Sequence, residues 1–204
     1  MLAVKNVTKR YGRHVVIDTA SLSLAAGEVL CLTGPSGIGK TTLLEIIAGT
    51  ISPDGGVVQT SGKVSLLFQD NALIPWLNAA ANVRYILPSA MPTTRMEVCA
   101  KKWLGRFGLE EEQFPAAMSG GMLRRLALAR TFAAACPLIL LDEPFAFLDE
   151  DWQRVIAEEI ASHASFGGGV LIASHTATPL GWNCLEDISC KIIKISLSPI
   201  RLDM

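Results

Sequence analysis

The chain has 204 residues, of which 50% are hydrophobic and 18% charged. That supply of apolar side chains suits one well-packed domain and excludes a disordered or collagen-like chain. Eighteen Lys and Arg against nineteen Asp and Glu leave a net charge of −1, which gives no general attraction to nucleic acid or anionic lipid.

Mean hydropathy is positive, +0.37. No uninterrupted apolar run reaches the roughly 18 residues of a spanning helix. The stretch from Met1 to Tyr11 carries Lys5, Lys9 and Arg10 and no signal-like apolar region, so a soluble cytosolic chain is expected. Cys31, Cys99, Cys136, Cys184 and Cys190 are odd in number and form no C-x-x-C, and read as reduced structural thiols.

In chain order, the segment up to Ser23 alternates in short pieces such as Val15-Val16-Ile17 and predicts antiparallel strands on one edge of a sheet. Val29 to Thr33 is a continuous apolar strand. Lys40 to Ala48 has helical spacing and meets a C-terminal glycine at Gly49. Val64 to Phe68 predicts a second strand. Between Asp70 and Met118 the chain is helical and richer in Trp and Pro. There Thr94-Arg95-Met96-Glu97 reads as a capping box for a helix that Gly108 ends. Ser119 can cap a helix running through Arg130. Leu138 to Leu141 is a third strand. Asp149 or Asp151 can start a helix carrying Val155, Ile156 and Ile160. Gly167-Gly168-Gly169 reads as a flexible loop before a fourth strand, Val170 to Ser174. Strands apolar on both faces imply a parallel sheet covered by helices.

Gly34-Pro35-Ser36-Gly37-Ile38-Gly39-Lys40-Thr41 is G-x-x-x-x-G-K-T between a strand and a helix. Its glycines let successive N–H groups point at an anion, and the helix N-terminus adds partial positive charge. Lys40 can reach β- and γ-phosphates, and Thr41 can offer its hydroxyl to Mg²⁺. The other strands end at Gln69, at Asp142-Glu143 and at His175. If these strands are neighbours, the four ends converge on one γ-phosphate. Asp142 and Glu143 point apart in extended chain, so one can face a metal and the other an attacking water. Ser119-Gly120-Gly121 at a second helix start is a further anion site, which suggests that two chains share each nucleotide.

Taken together, these residues resemble the ATP-binding cassette family, the ATPase subunits of membrane transporters, over essentially the whole chain. Tyr11 stands where that family stacks an aromatic on adenine. Gly34 to Thr41, with Thr42 after it, resembles the Walker A loop, and Gln69 the Q-loop. Ser119-Gly120-Gly121 resembles the signature sequence. Leu138 to Pro144 resembles Walker B with Glu143 as its catalytic carboxylate, Leu148-Asp149 the D-loop, and His175 the switch histidine. Phe68 to Leu77, with Leu73-Ile74-Pro75-Trp76 and then Ala81-Asn82-Val83, is similar to the nitrate, sulfonate and taurine importer branch.

The resemblance implies an α/β fold: a P-loop NTPase, RecA-like core with a mainly parallel sheet, antiparallel edge strands and a helical subdomain of about residues 71–124 inserted in a single domain, 1–204. It implies ATP and Mg²⁺ as cofactors, with Thr41, Gln69 and Asp142 near the metal and Glu143, His175 and Gln69 in catalysis. It implies Tyr11, residues 34–42, Ser119, Gly120, Gly121 and Asp149 at the nucleotide. The implied partners are a second ATPase subunit in a head-to-tail dimer, transmembrane permease subunits meeting the helical subdomain, and a solute-binding protein. No nucleic acid is implied. The implied location is the cytoplasmic face of the membrane. Met122, Leu123, Ala146-Phe147 and Thr176 depart from the family pattern. The alternatives are a non-transport ATPase of the family, a weakly hydrolysing nucleotide-gated binding module, and a small-molecule kinase.

Overall fold

Five short strands form the sheet that carries the strand ends singled out above. They are β3 (Val29–Thr33), β5 (Val64–Leu67), β6 (Leu138–Asp142), β7 (Gly169–Ser174) and β8 (Cys190–Lys194), in spatial order β5-β6-β7-β3-β8 and parallel throughout. The computed structural model describes residues 1–175, 190–195 and 199–202. Cys184, Thr176 and the chain around Leu197 lie outside the described residues.

Every residue of β3, β6 and β7 is buried, as strands covered on both faces must be. Alternate side chains feed two separate cores. Val29, Cys31, Ile139, Leu141, Val170 and Ile172 pack towards α2 (Ala79–Tyr85), α3 (Thr93–Arg106), α4 (Gly120–Ala133) and α5 (Glu150–Ser165). Leu30, Leu32, Leu138, Leu140 and Leu171 pack towards α1 (Lys40–Ala48). Gly49, in the left-handed region at φ 78°, ends α1 as its position suggested.

β1 (Leu2–Tyr11), β2 (His14–Leu24) and β4 (Gly55–Thr60) form their own antiparallel sheet in order β2-β1-β4, rather than an edge of the parallel one. β4 has no fully buried residue, which removes the pattern by which a strand is recognised. The inner face of this sheet, Val4, Val7, Ile17 and Leu22, closes the α1 core.

Between β5 and β6 the described residues are helical apart from turns. The capping box at Thr94 does not form. The helix starts two residues earlier than a Thr94 cap would set it, with Pro92 at the cap, and the N–H groups of Arg95 and Met96 donate to the Pro92 carbonyl. Ser119 does cap α4, accepting from the Met122 N–H at 3.3 Å, and Asp149 caps α5, accepting from the Trp152 N–H at 3.0 Å. Gly167-Gly168 is a tight stop for α5 instead of a loose loop, and Gly169 already begins β7. Gly167 has φ 85°, its N–H donates to Ala164 O, and the Gly168 N–H donates to His163 O. A side chain at Gly168 would run into the His163 ring.

Asn82 is the best-connected buried polar group of the helical segment. Its Oδ1 accepts from the Ile74 N–H at 2.9 Å, and its Nδ2 donates to Ile74 O, Leu77 O and Asn78 O within 3.2 Å. This one amide folds the turn Ile74–Asn78 onto α2 and leaves Trp76 standing 76% exposed. Asn82→Ala strands several buried backbone groups. It is expected to destabilise the chain by about 2–4 kcal/mol, read from the shift of the urea unfolding curve.

Candidate nucleotide site

Because β5, β6, β7 and β3 are adjacent and parallel, their carboxyl ends lie side by side along one edge. The ladder continues past the strands. The Gly34 N–H donates to Ser174 O at 3.2 Å, and the Glu143 N–H donates to Ala173 O at 2.9 Å. These bonds fix the start of the 34–41 loop and the end of β6 against β7.

The loop turns on glycine. Gly39 has φ 112°, and a Cβ there would stand 2.6 Å from the Val16 side chain. Ile38 is buried in the α1 core and anchors the bend. Lys40 is nearly buried, and its Nζ donates to Gly34 O at 2.7 Å and Pro35 O at 3.0 Å. The ammonium is thereby held over the concave side of the loop.

Two adjoining clefts open there. One, of about 670 Å³, is lined by Ser36, Thr41, Leu44, Glu45, Leu66, Phe68, Gln69, Asp70, Asp142, Glu143, Ala146, Phe147 and His175. The other, of about 370 Å³, is lined by His14, Val16, Ser36, Gly37, Gly39, Lys40, Thr41, Thr42, Gln69, Asp142 and Glu143. Gln69 beyond β5, Asp142 and Glu143 at the end of β6, His175 just after β7 and the loop after β3 therefore line these two adjoining clefts.

Asp142 and Glu143 do point to different partners. Asp142 Oδ2 accepts from the Thr41 hydroxyl at 2.6 Å. Burial raises the Asp142 pKa, with Glu143 adding repulsion, while the Thr41 bond, Arg124 and Lys40 oppose the rise. Glu143 Oε2 lies 2.8 Å from His175 Nδ1 and accepts from the Ser174 hydroxyl at 3.4 Å. Glu143 has φ 49°, an uncommon left-handed conformation for a residue with a side chain, which turns the chain sharply at the strand end. Thr41, Gln69 and Asp142 offer oxygen donors, the ligand type Mg²⁺ prefers. Among the described residues no group of three His, Cys, Asp or Glu could hold a metal by itself. A cation here would draw on the Thr41 hydroxyl, the Gln69 amide and phosphate oxygens.

Other expected residues lie elsewhere. Tyr11 is half-exposed with Lys9 Nζ 5.6 Å from its ring centroid, and lines neither cleft. Ser119 and Gly120 are exposed at the start of α4 and, with Gly121 and Asp149, also line neither. Phe147, 81% exposed at φ 65°, does line the larger cleft. His14, paired with Tyr11 across the β1–β2 turn, lines the smaller one, which nothing in its local sequence announced.

Arg124 was also missed as a site element. It is 1% exposed and sits behind Asp142 and Glu143. Its signal was present: Arg124, Ala127, Leu128 and Thr131 follow helical spacing on the buried side of α4, a charge on an apolar stripe. The free thiols Cys31, Cys99, Cys136 and Cys190 show no bridging, and burial pushes the Cys31 thiol up to about 12. No helix among the described residues is long and apolar enough to cross a membrane.

A family model described as ABC transporter matches residues 17–146. The chain is 38% identical over 180 residues to the aliphatic sulfonates import ATP-binding protein SsuB 3 of Paraburkholderia xenovorans, covering 85% of this chain and 70% of that protein. It is 38% identical over 172 residues to the sulfate/thiosulfate import ATP-binding protein CysA 2 of Chromobacterium violaceum, covering 78% of this chain and spanning 47% of that protein. Among solved structures, it superposes with TM-score 0.84 and 27% identity on a dimeric post-hydrolysis state of the ATP-binding cassette MJ0796 bound to ADP and Pi, covering 97% of each chain.

Proposed function

Since the chain belongs to the ABC transporter family, we propose that it is the ATP-hydrolysing subunit of an importer for a small solute. The observation that carries this reading is that Thr41, Gln69, Asp142 and Glu143 line both of two adjoining clefts at the sheet edge, with Lys40 on one and His175 on the other.

The loop N–H groups of residues 36–42 and the Lys40 ammonium bind the triphosphate, and the Walker-type bend excludes bulkier side chains at Gly39. Mg²⁺, when bound, neutralises charge on the β- and γ-phosphates, and Thr41, Gln69 and Asp142 would hold it. Glu143 orients the attacking water and accepts its proton. His175 Nδ1, 2.8 Å from the Glu143 carboxylate, steadies that group. The balance is ATP and water to ADP and inorganic phosphate.

Ser119, Gly120 and Gly121 do not line the chain's own clefts. Exposed N–H groups at the start of α4 suit the γ-phosphate of a second copy, closed head-to-tail, with Asp149 and Phe147 at the same junction. The dimeric state of the similar solved structure supports a second copy in the assembly. Transmembrane subunits supplied by other chains meet the helical segment, where the turn pinned by Asn82 presents Trp76 and α2 presents Tyr85. The chain works at the cytoplasmic face of the membrane, and a solute-binding protein completes the complex. The named relatives support a sulfonate-like or oxyanion solute.

Purified chain should hydrolyse ATP in the presence of Mg²⁺. Ser119→Arg should lower steady-state hydrolysis by about tenfold or more while leaving the ATP dissociation constant within about threefold. Unchanged hydrolysis in this variant would favour a kinase-like site built from one chain. Transfer of phosphate to a small acceptor instead of water would overturn the reading.

A further inference from the structure

Arg124 enters the site from α4, the helix that Ser119 caps. Its Nη2 donates to the carbonyl oxygens of Asp142 and Glu143, the latter at 2.8 Å. Its Nη1 donates at 2.8 Å both to Phe68 O, immediately before Gln69, and to the Asn71 side-chain oxygen. One planar guanidinium thus ties the chain beyond β5 to the chain at the end of β6.

The backbone it ties is unusual. Asn71, Ala72 and Glu143 all have φ between 46° and 66° without being glycine. Such conformations persist where the surroundings over-determine them, and they concentrate at working sites. Arg130, one and a half turns further along α4, donates to Asn71 O at 2.9 Å and holds the same bend from its other side. Burial lowers the Arg124 pKa to about 10, opposed by Asp142, Glu143 and Asp70. A buried cation is an expensive way to fill space, and an apolar side chain would pack there without that cost.

We propose that Arg124 is a positioning residue for hydrolysis: it sets the register between the β6 end carrying Asp142 and Glu143 and the segment carrying Gln69. The fork geometry matters. Arginine reaches both carbonyl pairs at once, whereas a lysine ammonium is a point donor that can serve only one side fully. Arg124 itself lines neither cleft, so its effect falls on the alignment of the residues that do. The same guanidinium links that alignment to α4, whose exposed end faces the neighbouring copy in the proposed assembly.

This inference rests on the ATPase reading above. The test compares the full chain with Arg124→Met, Arg124→Lys and Asn71→Gly. For Arg124→Met, kcat is expected to fall about 10–100-fold, with the Mg²⁺ concentration for half-maximal rate rising about fivefold and Mg²⁺-free ATP affinity within about threefold. Arg124→Lys should fall between Arg124→Met and the unmodified chain. If Arg124→Met does not fold, Asn71→Gly carries the test. It removes one acceptor and tolerates φ 66° without strain, and its kcat should fall about threefold or more at unchanged ATP affinity. A kcat within about twofold of the unmodified chain, or a loss of ATP affinity in proportion to kcat, overturns the positioning role. An unmodified chain that turns over no ATP overturns the ATPase reading itself, a result the variants are not needed to see.

Discussion

Glu143→Gln is expected to lower ATP turnover by about 10²–10³-fold, or about 2.7–4 kcal/mol of transition-state stabilisation, with ATP affinity within about threefold. The substitution keeps the side-chain shape and an oxygen that can still meet His175 Nδ1 across the 2.8 Å contact. It removes the charge that accepts a proton from water. Binding should survive, since the residues proposed to grip the triphosphate are in the 34–42 loop, reached from β3 rather than β6. The bend at Glu143, with φ 49°, is as accessible to Gln as to Glu, so folding is not at stake. With hydrolysis stalled, two copies should stay closed on Mg²⁺-ATP and elute as a dimer in gel filtration. A variant keeping about a third or more of the normal turnover would remove Glu143 from its role.

Asp142→Asn is expected to gain stability and lose activity. The Asp142 carboxylate is buried, and its folded-state pKa is raised, first by desolvation, above the ordinary value of 3.8. A raised carboxyl pKa means that the folded state disfavours the ionised form. The penalty is absent below the ordinary carboxylate range, grows as pH climbs through the raised value, and is fully present above it. Asparagine keeps an oxygen for the Thr41 hydroxyl and carries no charge. The variant should therefore melt about 2–5 °C higher near pH 7.5, a gain that shrinks towards about pH 4. The same change weakens the oxygen set proposed for Mg²⁺, so hydrolysis should drop about 10²-fold and the Mg²⁺ requirement should rise. A lower melting temperature at pH 7.5 would show that the carboxylate is a net structural asset.

The parallel sheet was open to sequence reading because each central strand is short, continuously apolar and punctuated by a polar residue. Those same punctuation residues, Gln69, Asp142, Glu143 and His175, are the ones the strand order brings together. Local chemistry and global topology agree there. Where they part, the sequence misleads. The surface strand β4 lacks a buried stripe. The helix expected to be capped by the Thr94 side chain starts instead behind Pro92, with no side-chain cap bond. Of three glycines read as slack, Gly167 and Gly168 turn out to be a helix stop, with Gly168 fitted against His163, and Gly169 begins β7. Arg124 was visible as a charge in an apolar stripe, but three of its four partners are backbone carbonyls, from segments as far as 18 and 56 residues away. Such partners have no side-chain signature in a sequence.

The two cores on either side of the sheet give neighbouring residues opposite allegiances. Leu140 belongs with α1 and the antiparallel sheet, Leu141 with α4 and α5. The phosphate-gripping loop is built on the first compartment and the arginine behind the carboxylates on the second. Parity along β6 thus decides which half of the machinery a packing defect disturbs. The candidate site lies on the seam between the two cores, where the strand ends and the Thr41–Asp142 bond are shared by both.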